Sequence, residues 1–157
     1  MRLPTLVKTA AAVTATAAAG ATAIDASSRW YQRLRKPAWQ PPPVAFPLAW
    51  TPLYALIAVA GARVLDRTSD ADRAAFARAY ALNLALNFGW TALFFKAHKP
   101  TVALVEIAAL NASNVALIRR ASRADGVAAA ALAPYVAWTL FATTLNGAIV
   151  GLNRNRG

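Results

Sequence analysis

WYQRLRKPAWQPP, residues 30–42, lies between an alanine-rich run and a strongly apolar one. It places Trp30, Tyr31 and Trp39 beside Arg33, Arg35 and Lys36, and adds Pro37, Pro41 and Pro42. A solvated linker needs no tryptophan, and the hydrocarbon core of a bilayer rejects clustered cations. Amphipathic rings mixed with cations suit a boundary between water and lipid, where tryptophan and tyrosine concentrate. Read as a boundary, the stretch leaves one apolar segment before it and four after it.

Composition supports that division. Of 157 residues, 58% are hydrophobic and 15% charged, against about 25% charged in soluble domains. The length allows one domain, 1–157. The formal net charge is +11, and the cations fall between apolar runs rather than along one soluble face. That pattern fits membrane flanks and anionic headgroups and argues against a nucleic-acid partner. With no cysteine and a single histidine, His98, neither thiolate chemistry nor a His/Cys metal site is expected. There is no Ser/His/Asp set, no paired carboxylates and no Gly-rich phosphate loop to announce conventional catalysis.

The apolar segments run over about 6–24, 46–65, 74–95, 101–118 and 127–152. Each is near the ~20 residues that span a bilayer as a helix, and none alternates as a barrel strand does. The later connections, DRTSDADR, KAHKP and RRASRADG, are short and polar; the first, 25–45, is long. The expected fold is an all-α membrane protein of five transmembrane helices. The first segment, rich in Ala and Thr behind a basic start, also has the form of a secretory signal. As a helix it would span only if neighbours cover it. Cations are almost evenly divided between the two sides, so charge does not orient the chain.

The helix faces carry the candidate chemistry. In the third segment Ala77, Ala81, Ala85 and Gly89 form a stripe of small residues, which lets another helix approach closely, within the bundle or from a second copy. Asn83, Asn87, Trp90 and Phe94 lie opposite and are expected inside, Asn83 paired structurally and Asn87 towards a ligand. In the fifth, Pro134, Trp138, Ala142 and Asn146 share a face; a ring beside a small residue makes a flat apolar slot, or a filled core. In the second, Trp50 and Tyr54 lead a comparable face, and Trp50 also fits an interfacial anchor. Glu106 is an acidic residue well inside a span, a functional candidate or a structural partner of Asn83 or Asn114.

Together these stretches resemble the translocator protein family, also called tryptophan-rich sensory or peripheral benzodiazepine receptor proteins (TspO/MBR). The motif W-Y-x-x-L-x-K-P-x-W-x-P-P is matched by Trp30, Tyr31, Leu34, Lys36, Pro37, Trp39, Pro41 and Pro42. FPLAWTPLYAL, LNLALNFGWTALFF, ALVEIAAL and LAPYVAWTLFATTLNGAIVGLN are similar, in order, to its second to fifth helices. The resemblance implies that the first segment is retained and that 25–45 acts as a lid over a pocket in a five-helix bundle. It implies porphyrin ligands, protoporphyrin IX and haem, with no obligatory cofactor, and isoquinoline carboxamide or benzodiazepine ligands. It carries Trp50, Asn83, Asn87, Trp138 and Ala142 into that pocket; the faces add Tyr31, Trp39, Tyr54, Trp90 and Glu106. Arg33, Arg35 or Lys36 would meet the ligand's propionates. The carboxy-terminal stretch lacks the tyrosine of the family's cholesterol pattern. Three activities compete: a porphyrin-binding sensor of tetrapyrrole and stress signals, a light-dependent porphyrin-degrading enzyme using Trp50 and Trp138, and a transporter of porphyrin or sterol-like ligands. The family also implies a homodimer, and Ala- and Arg-rich usage suggests a bacterial cell membrane.

Overall fold

In the computed structural model, which describes residues 1–154, helices are joined by short connections. They are α1 (Leu3–Ala23), α2 (Arg29–Arg33), α3 (Ala45–Arg67), α4 (Asp70–Thr91), α5 (Pro100–Ala124) and α6 (Gly126–Asn153). A π-helical turn, Ala92–Lys96, continues α4 directly.

Local chemistry sets the ends. Pro4 and Pro100 stand in the first turns of α1 and α5, where a missing N–H costs little. Asp70 and Asp72 sit at the positive end of the α4 dipole. Asp125 caps α6, its Oδ1 accepting from the amides of Val127 at 2.9 Å and Ala128 at 3.2 Å. Two features differ from the hydropathy reading. α5 continues past 118 to Ala124, because cations are favourable at a helix C-terminus. The connection 25–45 contains α2, begun by Ser28, whose hydroxyl accepts from the Tyr31 amide at 3.3 Å.

The five long helices close into a ring in which α1 packs on α3, α3 on α6, α6 on α5, α5 on α4, and α4 on α1. The main core is built from Ile57, Val64, Phe76, Leu117, Leu132 and Tyr135. Gly61 lets the Tyr80 ring approach closely, since a Cβ there would fall 2.7 Å from Tyr80 Cε2. α1 is held to α3 mainly through polar atoms: Thr9 donates to the Ala58 carbonyl at 2.9 Å, Thr5 to Asp66 at 2.7 Å, and the Arg2 amide to Asp66.

A chain of amides and hydroxyls crosses the interior. The Tyr54 hydroxyl donates to Asn87 Oδ1 at 3.2 Å, Asn87 Nδ2 to the Tyr135 hydroxyl at 3.1 Å, and Tyr135 to Asn83 Oδ1 at 3.2 Å. Asn83 Nδ2 donates to Asn114 Oδ1 at 2.7 Å, Asn114 Nδ2 to Thr139 at 2.9 Å, and Thr139 to Asn111 Oδ1 at 2.8 Å. Four helices, α3 to α6, are thereby joined by side chains that satisfy one another.

At one end of the bundle Asp125 also gathers cations. Arg63 Nε lies 2.9 Å and Arg67 Nη1 3.0 Å from its Oδ2. The Arg63 Nε approach is an ion pair too bent to be a hydrogen bond, whereas Arg63 Nη2 donates to Oδ1 at 3.3 Å. Burial alone would raise the Asp125 carboxyl. Hydrogen bonds from Arg63 and the Ala128 amide, with the charges of Arg63 and Arg67, outweigh it and hold the group below the usual carboxylate range.

α3, α5 and α6 each carry an apolar stretch long enough, and poor enough in charge, to cross a membrane. α1, built of Ala and Thr, and α4, opened by Asp70, Asp72 and Arg73, do not meet that standard.

Two stability measurements follow from these contacts. Tyr135→Phe leaves Asn83 Oδ1 and Asn87 Nδ2 without that partner, and should lower stability by about 1–3 kcal/mol in thermal unfolding in detergent. Because the folded Asp125 carboxyl titrates low, its stabilisation is complete above the ordinary carboxylate range and is lost as pH falls through the folded value. The melting temperature should therefore drop on acidification, and Asp125→Asn, which keeps the cap, should start lower and show a shallower drop.

Candidate ligand-binding cavity

A cavity of about 470 Å³ lies between the C-terminal half of α1, the N-terminal half of α3, the end of α4 and the middle of α6. That volume is within the range of small-molecule sites. α1 contributes only small side chains and Ile24: Ala17, Gly20 and Ala21 form its wall. α3 brings Phe46, Trp50, Thr51 and Tyr54; α4 and the π-helical turn bring Trp90, Thr91, Phe94 and Phe95; α6 brings Trp138, Phe141, Ala142, Leu145, Asn146 and Ile149. No charged side chain lines it.

The rings meet at angles that keep them apart. Trp50 and Trp138 stand edge to face, with centroids 6.4 Å apart at 84°. Phe46 is set against Trp138 at 6.1 Å and 74°, while Trp50 stacks on Tyr54 at 5.0 Å and 24°. Rings arranged edge to face hold one another without collapsing into a single stack. The indole N–H of Trp90 donates to Asn146 Oδ1 at 3.0 Å, and Asn146 Nδ2 to the Pro100 carbonyl at 2.9 Å, which fixes that end of the cavity.

The connection between α1 and α3 covers the remaining side with Ala26, Tyr31, Gln40 and Pro43. Its docking is aromatic. Trp30 stacks on His98 at 4.4 Å and 16° and meets Phe94 edge to face at 5.9 Å, and Tyr31 lies 5.4 Å from Phe95. His98 adopts a left-handed backbone, φ 56°, where the chain reverses from the π-helical turn into α5. Lys36 folds back, donating from Nζ to the Tyr31 carbonyl at 2.6 Å and sitting 4.3 Å from the Tyr31 ring centroid. A clip from α6 completes the attachment: the Arg35 amide donates to Asn153 Oδ1 at 3.0 Å, and Asn153 Nδ2 to the Arg35 carbonyl at 2.9 Å.

Of the residues singled out from sequence, Tyr31, Trp50, Tyr54, Trp90, Trp138 and Ala142 come together in the lining. Trp39 stands outside it, 51% exposed, against Phe141. Asn83, 0% exposed, and Asn87, 4% exposed, stand behind the lining in the amide chain. Glu106 faces Gly89 on α4, and its covered oxygens have no partner among the described residues. The expected pairing of Glu106 with Asn83 or Asn114 does not form, because those two amides bond to each other. Ala77, Ala81 and Ala85 are exposed and wall an open furrow between α4 and α1, whereas Gly89 turns to Glu106 instead. Arg33 and Arg35 are exposed and Lys36 is engaged by the backbone. Phe46 and Phe141 were missed although they lie four residues before Trp50 and three after Trp138, on the same helical faces. No local pattern announced Phe95 or Gln40.

The chain matches the TspO/MBR family over residues 8–152. It is 37% identical over 127 residues to a tryptophan-rich sensory protein of Cereibacter sphaeroides, covering 81% of this chain and 78% of that one. Identity to protein CrtK of Rhodobacter capsulatus is 35% over 141 residues, 88% of each chain. The human translocator protein is 32% identical over 120 residues, 75% of this chain and 71% of its own.

Removing the clip should loosen the covering segment without touching the cavity. Asn153→Ala deletes two hydrogen bonds of roughly 0.5–1.5 kcal/mol each. Trypsin should then cut after Arg33 and Arg35 about tenfold or more faster than in the unaltered protein, while cleavage at exposed cations elsewhere keeps its rate.

Proposed function

From the premise that the chain belongs to the TspO/MBR family, and so is an integral membrane protein, we propose a porphyrin-binding sensor that crosses the bilayer five times. α1 and α4 join the three more apolar helices as spans. Val7, Leu48, Leu82, Val105 and Leu140 leave large apolar side chains exposed on every long helix, a surface that suits lipid and not water. The small side chains of α1 lie against α3, whose carbonyl at Ala58 takes the Thr9 hydroxyl.

The cavity carries the reading of the ligand. A porphyrin is a flat aromatic plate with propionates along one edge. Walls of indole and phenyl rings, with no charge among them, suit the plate; Ala142 and the small face of α1 leave room for it. Protoporphyrin IX or haem would lie against Trp50 and Trp138 as ligand. Each aromatic contact contributes on the order of 0.5–1.5 kcal/mol beyond area burial. Arg33 and Arg35, exposed on the covering segment, supply cations for propionates that remain outside the apolar lining. The segment 25–45 acts as the lid, closed by Trp30 on His98 and by the Asn153 clip. A bacterial cell membrane fits the relatives from Cereibacter and Rhodobacter.

The neighbouring pair Trp50 and Trp138 also suits electron exchange with an excited porphyrin, the one observation that favours turnover. A single experiment separates the two. Protoporphyrin IX is titrated into purified protein in detergent, following tryptophan quenching in the dark and porphyrin absorbance under light. Saturable quenching with a stable spectrum is expected. Light-driven loss that disappears in Trp50→Phe and Trp138→Phe would make the protein an enzyme, and absence of saturable quenching would remove the porphyrin reading.

A further inference from the structure

The hydrogen-bonding capacity of the cavity is largely used up by the protein. Thr51 donates to the Pro47 carbonyl at 2.8 Å, Thr91 to the Asn87 carbonyl at 3.4 Å, and Tyr54 to Asn87 Oδ1 at 3.2 Å. Asn146 is engaged at both ends of its amide by Trp90 and Pro100. Gln40 is different. It reaches the cavity from the covering segment, and its Nε2 donates to the Tyr31 hydroxyl at 3.5 Å, the long limit of such a bond. Its Oε1 is buried and has no partner among the described residues. A buried acceptor left empty costs free energy that a ligand donor recovers. The side chain is not needed to shape the turn, because the Gln40 backbone amide bonds to the Pro37 carbonyl at 3.0 Å.

We infer that Gln40 is a specificity-determining residue of the cavity, its unpartnered carbonyl selecting flat apolar ligands that carry an O–H or N–H donor on the edge facing the covering segment. The inference rests on the cavity being the binding site proposed above. It assigns the polar edge of the ligand to a neutral acceptor inside the lining, and leaves Arg33 and Arg35 to act on charge from outside. A site that holds an unpaired polar group discriminates strongly against an analogue lacking the matching donor, because the group then stays unpaired in the complex.

Two neutral derivatives of protoporphyrin IX test this: the dimethyl ester, which has no donor at its edge, and the dialcohol made by reducing both propionates, which keeps two. Both are titrated in the dark by tryptophan quenching into the full-length protein in detergent. The dialcohol should bind on the order of tenfold more tightly than the ester. Gln40→Met, similar in length and without an amide, should bring that ratio close to one. Gln40→Glu retains an acceptor and should keep the preference. Equal binding of the two derivatives to the unaltered protein, or a ratio unchanged in Gln40→Met, would overturn the role of Gln40 and leave porphyrin binding standing. Saturable binding of neither derivative nor of protoporphyrin IX itself would take down the binding site and this inference together.

Discussion

The chain of amides and hydroxyls from Tyr54 to Asn111 is the constraint on which the rest of the bundle depends. Between helices in lipid there is no hydrophobic effect to favour one rotation over another, since lipid tails are as apolar as leucine. Polar side chains that must find each other decide the matter. Asn83 and Asn87 lie one turn apart on α4 and engage Tyr54 of α3, Asn114 of α5 and Tyr135 of α6. Turning any one of these helices by a single residue would strand two or three polar groups in an apolar interior. With α3, α4 and α6 oriented in this way, Trp50, Trp90 and Trp138 follow, because each lies three or four residues from a member of the chain.

The cavity is therefore bounded on one side by a rigid polar lattice and on another by something softer. α1 meets it with Ala17, Gly20 and Ala21, and a Cβ at Gly20 would encounter nothing within 4 Å. The polar contacts of α1 with α3 cluster far from the cavity, at Thr5, Thr9 and Asp66. The covering segment is held by ring contacts and by the Asn153 clip rather than by a continuous core. Fixed aromatic walls with yielding cover is an arrangement that keeps a site formed while a large flat ligand comes and goes.

Much of this was legible before any coordinates. Apolar runs of about span length, separated by short charged connections, mark the long helices. Spacing of four residues brought out Trp50 with Tyr54 and Trp138 with Ala142, because a helix of 3.6 residues per turn stacks such pairs on one face. What escaped depends on partners distant in sequence. Asn87 looked like a ligand contact, but its amide is saturated by Tyr54 and Tyr135, on two other helices. Glu106 lies one residue off the buried row of Ile107, Leu110 and Asn114, enough to turn it towards Gly89 and away from the amides. Asn153 showed nothing in its own neighbourhood, since its partner Arg35 is separated from it by nearly the whole described chain.

The π-helical turn at Ala92–Lys96 holds one residue more than an α-helical turn of the same rise. Loss of a single residue there would let the turn relax to α-helix with little disturbance to α4, which ends before it. Everything after it would rotate by about 100°. His98 would swing away from Trp30, and Phe95 away from Tyr31. In genetic terms, a one-codon deletion between helices, usually tolerated in a connecting segment, would here undock a structure more than fifty residues upstream. The five residues 92–96 thus set the phase of the chain, and their number matters as much as their identity.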